Sequence, residues 1–285
     1  MDDTMGDTLR DAYAHCEALV READKDRFLA SLFAPADRRP HLHALYAFNV
    51  EIVRVGHMVH EALAGEIRLQ WWRDALAGEA RGDATANPVA AALLDTVTRC
   101  GLPGAPLDAL IDAHTQALYA EPVATLTDLE TFMRATAVGL FGLAAHILDR
   151  DIDVAVVTDP AGIAYGIANL LQSFAREAAR GRTWLPLDLL DRHGVRREDV
   201  IGGTGSAGLG AALAELADIA RARLAEARRG WDRVSPAARP AFLPLALVEP
   251  VLARVARNPD SFQPVELSPW RGQWALWRAA RRGSV

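Results

Sequence analysis

Apolar residues recur at helical spacing along almost the whole chain, and this periodicity is what most restricts its fold. Amphipathic helices are predicted over residues 11–33, 40–63, 66–80, 88–99 and 107–119, separated by turns that contain glycine or proline. No segment alternates apolar and polar positions with the β-branched enrichment of a half-buried strand. We therefore predict an all-α fold, a single domain whose helices pack around a common core.

Helix-capping residues predict where the later helices begin. Thr127-Asp128-Leu129-Glu130 has the form of a capping box with Thr127 as cap, and it predicts a helix through Leu148. A cap residue precedes a proline suited to the first helical position at Asp159-Pro160, Ser235-Pro236 and Ser268-Pro269. We expect helices to start near each of these prolines, and a further helix over residues 209–229.

The composition argues against several classes of protein. Charge or glycine interrupts every apolar stretch before the roughly 20 residues that a membrane helix needs, so no such helix is expected. The acidic N-terminal sequence lacks the apolar core of a secretory signal. Cys16 and Cys100 are far apart, which favours a reducing, cytoplasmic location. A net charge of −6 argues against nucleic acid as a partner.

Residues 203–208 match the GxGxxG pattern of dinucleotide-binding proteins. That pattern has physical meaning only between a strand and a helix of a βαβ unit, and residues 196–201 do not form a convincing strand. We interpret the segment as a flexible linker.

Three long segments carry a combination that points to one enzyme family. They are residues 28–48 (FLASLFAPADRRPHLHALYAF), 66–78 (EIRLQWWRDALAG) and 167–195 (IANLLQSFAREAARGRTWLPLDLLDRHGV). In order and spacing they resemble the squalene/phytoene synthase family, the head-to-head prenyl transferases, over residues 9–255. The resemblance implies an isoprenoid-synthase-type helical bundle around a central cavity. We assign residues 1–268 to this domain and 269–285 to a separate amphipathic helix.

The resemblance also implies where a magnesium site would lie. Enzymes of this family ionise prenyl diphosphates with Mg²⁺ ions that aspartates on two facing helices hold. The first aspartate motif should follow Tyr46-Ala47-Phe48. The positions that match its two aspartates are Val53 and His57, and Val50 stands at a nearby arginine position. Nothing in this stretch can hold magnesium as the family does.

The second motif should begin four residues after Asn169, an asparagine that the family shares. Its outer aspartate positions are Ser173 and Glu177, and Arg176 replaces an inner acid. Only Glu177 keeps a carboxylate. From these degenerate positions we predict no catalytic residues, no metal and no cofactor.

A non-catalytic branch of the family, the assembly factors of respiratory complex I, resembles this chain more closely in two places. These are residues 47–51 (AFNVE) and 68–72 (RLQWW). The likeness implies a role in membrane-complex biogenesis or quinone-linked metabolism, without prenyl transfer, and respiratory-complex subunits as partners. The alternative is an active prenyl transferase on farnesyl or geranylgeranyl diphosphate, with an unusual Mg²⁺ site that uses Glu177. A third possibility is a helical adaptor without a ligand.

Arginines stand within and behind the former acidic motifs, and they predict an anionic ligand. Guanidinium groups bind phosphate in a forked geometry, so we expect an isoprenoid or lipid with a charged head group. The predicted ligand-binding residues are Tyr46, Arg54, Asn169, Arg176, Arg180 and Arg182. The competing interpretation is that Arg54 and Arg176 pair with Glu51 and Glu177 or face water, and arginine is so abundant here that it is favoured.

Two further patterns have alternative interpretations. His57, His60 and Glu61 lie within about one helical turn and suggest a transition-metal site, but neutral or solvent-facing histidines are favoured. Trp270, Trp274 and Trp277 share one helix face amid arginines, which suits contact with a membrane interface. The same tryptophans could instead cover the helical core. Membrane contact would place the chain peripherally on the inner membrane.

Overall fold

Helices account for all the regular secondary structure that the structure describes. This computed structural model describes residues 2–58, 61–153, 155–257, 262, 263, 265 and 267–285, with the side chains of 2–6 and 269 left aside. No strand occurs among these residues. The prediction of an all-α fold is confirmed.

The chain divides into two compact units, each assembled from three stretches of sequence. The first comprises Met1–Tyr119, Gly139–Asp153 and Ser235–Phe242. Its helices are α1 (Asp2–Ala23), α2 (Lys25–Ser31), α3 (Arg39–Met58), α4 (Ala62–Ala77), α5 (Pro88–Cys100), α6 (Gly104–Ala117), α8 (Gly139–Leu148) and α13 (Arg239–Phe242), with a 3₁₀ turn at Ala84–Ala86.

The second unit comprises Ala120–Val138, Val154–Val234 and Leu243–Val285. Its helices are α7 (Leu126–Met133), α9 (Ala155–Ala178), α10 (Leu187–Arg192), α11 (Arg197–Ile201), α12 (Ala207–Arg229), α14 (Val248–Arg257) and α15 (Pro269–Arg282), with a π-helical turn at Arg134–Val138 and 3₁₀ turns at Trp231–Arg233 and Leu243–Leu247. The predicted boundary after residue 268 stays a prediction.

In the first unit, α3 is the central helix and packs against α1 and α5. The Phe48 ring on α3 meets the Trp72 ring edge-on, with centroids 5.1 Å apart. His43 shares a 2.8 Å hydrogen bond with the Ser31 hydroxyl, and burial lowers the pKa of its imidazole. A neutral histidine thus completes the core without an unpaired charge.

In the second unit, α9 packs along α12 and against the π-helical turn. Gly162 allows the closest approach in this packing. A Cβ atom at this position would lie 2.5 Å from the Cα atom and 2.6 Å from the N atom of Val138. Only glycine therefore permits the two backbones to touch here.

Several helix boundaries differ from the predicted ones. The helix predicted over residues 11–33 is two helices, because the Asp24 side chain accepts a hydrogen bond from the Arg27 amide and caps α2. The second predicted helix ends at Met58 rather than at residue 63. α5 and α12 begin within two residues of their predicted starts, and Ser268 with Pro269 opens α15 as predicted.

One predicted capping residue and two predicted starts were wrong. Thr125 caps α7 in place of Thr127, since its hydroxyl accepts from the Asp128 amide while the Asp128 carboxylate accepts from the Thr125 amide. Pro160 lies inside α9, where it is buried in the core and its missing amide removes one helical hydrogen bond. Ser235 caps only a turn, and α13 follows at Arg239.

The glycine-rich segment before α12 is more than a linker. Ser206 caps α12 by accepting a hydrogen bond from the Leu209 amide. A Cβ atom on Gly208 would lie 2.3 Å from the His193 carbonyl oxygen, so this glycine brings α12 close to the end of α10. No strand precedes the segment in the described chain, which removes the context that dinucleotide binding requires.

One helical run among the described residues, Leu126–Leu148, is long and apolar enough to cross a membrane. A helix in the core of a protein can be equally long and apolar, and 44% of the most apolar 18 residues of this run are buried. Glu130 within this run holds Arg134 and Arg223 in ion pairs. The run is therefore weak evidence for a membrane-spanning helix.

Candidate functional site

The predicted residues of the first motif lie along α3 in the first unit. Val53 is half-buried and His57 is exposed. Tyr46 is buried, and the Arg27 guanidinium lies over its ring, 5.7 Å from the centroid. Tyr46 is thus part of the packing around α3.

Arg54 lies beside the acidic residue one turn earlier on the same helix. Its Nη1 atom is 3.7 Å from Glu51 Oε1, and both side chains are partly exposed. Of the two predicted pairs, Arg54 with Glu51 is therefore present. An exposed pair of this kind contributes little to stability.

His57 lies near His114 of α6. Burial, with a smaller contribution from His57, lowers the pKa of His114 from 6.5 to about 4. His114 is therefore neutral near pH 7. His60 lies outside the described residues, and no group of three potential metal ligands occurs among the residues that are described.

The predicted residues of the second motif share one face at the end of α9. Asn169, Ser173 and Arg176 follow one another at intervals of four and three residues, which aligns them along the helix. Asn169 and Arg176 are exposed. The Ser173 hydroxyl donates a 3.2 Å hydrogen bond to the Leu170 carbonyl and so serves its own helix.

Glu177, one turn after Ser173, is buried, with 6% of its surface exposed. Arg182 Nη2 donates to Glu177 Oε2 at 3.0 Å, and Arg180 Nη1 donates to Oε1 at 3.3 Å. Each carboxylate oxygen therefore has its own guanidinium partner. We call Glu177, Arg180 and Arg182 the carboxylate clamp.

The turn after α9 builds this clamp. Gly181 adopts a positive φ of 74°, and the amides of Arg180 and Arg182 both donate to the Glu177 carbonyl at 3.0 Å. The chain thus folds back over the last turn of the helix and carries both arginines to Glu177. Trp184 follows and stacks on Phe132 at a centroid distance of 4.8 Å, which anchors the turn.

The clamp is the arrangement that sequence reasoning missed. Arg180 and Arg182 were predicted to bind a ligand, and Arg176 was the predicted alternative partner of Glu177. The structure instead pairs Glu177 with Arg180 and Arg182, and Arg176 has no ion-pair partner among the described residues. The sequence feature that could have predicted this pairing is Gly181, between the two arginines, because a left-handed glycine after a helix reverses the chain.

The predicted tryptophan face on α15 points away from the core. Trp270, Trp274 and Trp277 are 81%, 58% and 42% exposed, respectively. Ala275, Leu276 and Ala279 form the buried face, which packs against the 3₁₀ turn Leu243–Leu247. The tryptophans therefore do not cover the core of the described chain, which was the competing interpretation.

Comparisons with known proteins agree with the helical architecture. A family model for squalene/phytoene synthase matches residues 20–278. Among similar proteins, NADH dehydrogenase (ubiquinone) complex I, assembly factor 6 of Rattus norvegicus is 30% identical over 261 residues, which cover 91% of this chain and 78% of that protein. The 15-cis-phytoene synthase of Synechococcus elongatus is 27% identical over 301 residues, covering 98% and 95%.

A solved structure gives the same result at the level of the fold. Squalene synthase HpnC from Alicyclobacillus acidocaldarius matches with a TM-score of 0.74 and 29% identity, covering 88% of this chain and 95% of that chain. The predicted isoprenoid-synthase-type fold is confirmed. Because the family model spans most of its length, the chain belongs to the squalene/phytoene synthase family.

Proposed function

We propose that this protein is a non-catalytic member of its family that supports the assembly of respiratory complex I. It binds an isoprenoid or lipid without a metal or other cofactor. It works in the cytoplasm, held peripherally at the inner membrane.

The carboxylate clamp carries this proposal. Magnesium needs several oxygen ligands, mostly carboxylates and waters, at short distances. Val53 and His57 offer no carboxylate, Ser173 bonds to its own helix, and both oxygens of Glu177 bind arginine. These residues do not fit the metal cluster that prenyl diphosphate ionisation requires, because two fixed positive groups occupy the one carboxylate.

The likeness to the rat complex I assembly factor supports a role in complex I assembly. It is similar to this chain over 91% of the chain's length. A family member that keeps the helical scaffold and neutralises Glu177 retains a binding surface and loses the means to stabilise a departing pyrophosphate.

The exposed face of α9 supports the choice of ligand. Arg180 and Arg182 are engaged with Glu177, and Arg54 lies beside Glu51. Arg176 has no ion-pair partner among the described residues and shares its face with exposed Asn169. This pair could bind the phosphate of an isoprenoid or lipid, with the guanidinium as the charged contact.

An assay of pyrophosphate release tests the absence of catalysis. The purified protein is incubated with farnesyl or geranylgeranyl diphosphate, with and without Mg²⁺, and pyrophosphate and hydrocarbon products are measured. We expect no release above background. Binding of either diphosphate is followed in parallel, and Arg176→Ala should weaken it while Arg176→Lys retains part of it.

An active prenyl transferase is the second candidate. It is favoured by the 29% identity to the squalene synthase HpnC, which is close to the identity with the rat assembly factor, and by the carboxylate retained at Glu177. Mg²⁺-dependent release that is lost in Glu177→Ala would establish this function and sink the proposal above.

Genetic complementation tests the assembly role. Deletion of the gene in its own organism should lower the amount of mature complex I on native gels, and the wild-type gene should restore it. Unchanged complex I in the deletion strain would contradict the proposed role.

A further inference from the structure

A groove of about 750 Å³ lies between α14 and α15, apart from the predicted residues on α3 and α9. Its lining includes Arg254, Arg257, Arg271, Arg278, Trp274 and Pro250. We propose that this groove is a docking site for the anionic head groups of a phospholipid bilayer. The inference deepens the peripheral location in the proposed function and rests on that part of it alone.

Arginine side chains give the groove a positive charge. Arg254 and Arg257 lie one turn apart on α14, and Arg271 and Arg278 lie two turns apart on α15. All four side chains are exposed, and none has a carboxylate partner among the described residues. Other arginines of the chain, such as Arg221 and Arg223, have acidic partners. Four exposed arginines that pair with no carboxylate of the described residues, in a chain of net charge −6, therefore favour an anionic ligand.

The tryptophans favour lipid head groups as the anionic partner of the groove. Trp274 lines the groove and stacks on Trp277 at a centroid distance of 4.9 Å, and Trp270 is the most exposed of the three. The groove thus opens beside an apolar, aromatic surface that faces water. Indole rings favour the head-group region of a bilayer, where their apolar body and polar N–H are both accommodated. A single orientation of α15 at the bilayer would place lipid phosphates in the groove and the indole rings among the head groups.

The helix is held firmly enough to present this surface. Its buried face contains Leu276, and at its far end the Trp231 indole N–H donates a 2.6 Å hydrogen bond to the Gly283 carbonyl. Arg228 Nε donates to the Val285 carbonyl at 2.8 Å. Since α15 is fixed on one side, its arginines and tryptophans form a preorganised surface on the other.

Vesicle sedimentation with the full chain tests the inference. We expect binding to vesicles of phosphatidylcholine mixed with phosphatidylglycerol, weak binding to phosphatidylcholine alone, and weakening by salt. Arg254→Ala with Arg257→Ala should reduce the affinity on the order of tenfold, because each basic residue near an anionic surface contributes several-fold. Trp270→Ala should weaken binding with no loss of helical circular dichroism.

The matched control removes two positive charges elsewhere. Arg81 and Arg229 are exposed and lie outside the groove, so Arg81→Ala with Arg229→Ala should bind vesicles nearly as well as the wild type. Equal binding to both kinds of vesicle, or an equal loss in the control, would overturn the inference. Duplex DNA that binds as tightly as anionic vesicles would identify a nucleic-acid site instead.

The two proposals can fail separately. Vesicle binding without any defect in complex I in the deletion strain would contradict the assembly role and leave the docking site standing. Restored complex I with no vesicle binding would contradict the docking site and the peripheral location, and would leave the assembly role standing.

Discussion

At the scale of single residues, the buried carboxylate of Glu177 decides what the end of α9 can do. Two guanidinium groups satisfy it, so its negative charge is balanced inside the fold. Removing one partner of a buried pair leaves a charge with too few hydrogen bonds, and this costs more than a surface pair contributes.

We therefore expect Arg182→Ala to lower the free energy of unfolding by about 2 kcal/mol. Arg180→Ala, whose side chain is about half exposed, should cost less than about 1 kcal/mol. Urea denaturation followed by circular dichroism measures both. Equal losses in the two variants would show that burial does not distinguish the two contacts.

His114 gives a second prediction at this scale. Its pKa in the folded chain is about 4, below the ordinary 6.5, so the unfolded chain binds more protons between these values. Stability is therefore lost as the pH falls through this window. Because the His114 side chain is half-buried, the loss near pH 5 is about 1 kcal/mol. His114→Asn should remove this part of the pH dependence. The exposed His15→Asn should retain it, and parallel curves for the wild type and His114→Asn would contradict the assignment.

At the scale of elements, α9 depends on backbone contact with the π-helical turn at Arg134–Val138. A side chain at Gly162 would overlap main-chain atoms of Val138, and neither backbone can move without disturbing the buried helix. The long helix α9 carries the predicted ligand-binding residues Asn169 and Arg176 on its surface. It can pack in this position because residue 162 has no side chain.

Gly162→Ala should destabilise the chain by about 1–3 kcal/mol, although alanine favours helices. Gly210→Ala on α12 is the matched control, because its Cβ atom would meet nothing within 4 Å. This control should leave stability unchanged or raise it by up to about 1 kcal/mol. Thermal unfolding compares the two, and a neutral Gly162→Ala would mean that the two backbones separate easily.

At the scale of the whole molecule, the last helix belongs to the second unit by its contacts. A chain that ends at Ser268 loses the buried Leu276 and the acceptor of the Trp231 N–H. We expect its free energy of unfolding to fall by about 3 kcal/mol. Unchanged stability in differential scanning calorimetry would instead support residues 1–268 as a self-sufficient domain.

Helix content and the family could be predicted because both depend on local pattern. The 3.6-residue periodicity marks helices wherever their apolar face is buried, and long motif segments are matched by order and spacing. Helix starts were less predictable. Thr125 and Thr127 each have an acidic residue three positions on. The chain uses Thr125, which forms the reciprocal hydrogen bonds with Asp128, whereas Glu130 pairs with Arg134 and Arg223.

The sequence by itself determined the all-α class, the family and the absence of aspartate at Val53, His57 and Ser173. Only the tertiary structure decided which charges meet. It placed Arg180 and Arg182 on Glu177, left Arg176 exposed, and brought Arg254 and Arg257 beside the tryptophan face of α15. The reason is physical: periodicity follows from neighbours along the chain, whereas ion pairing depends on side chains that only turns and helix packing bring within a few ångströms of each other.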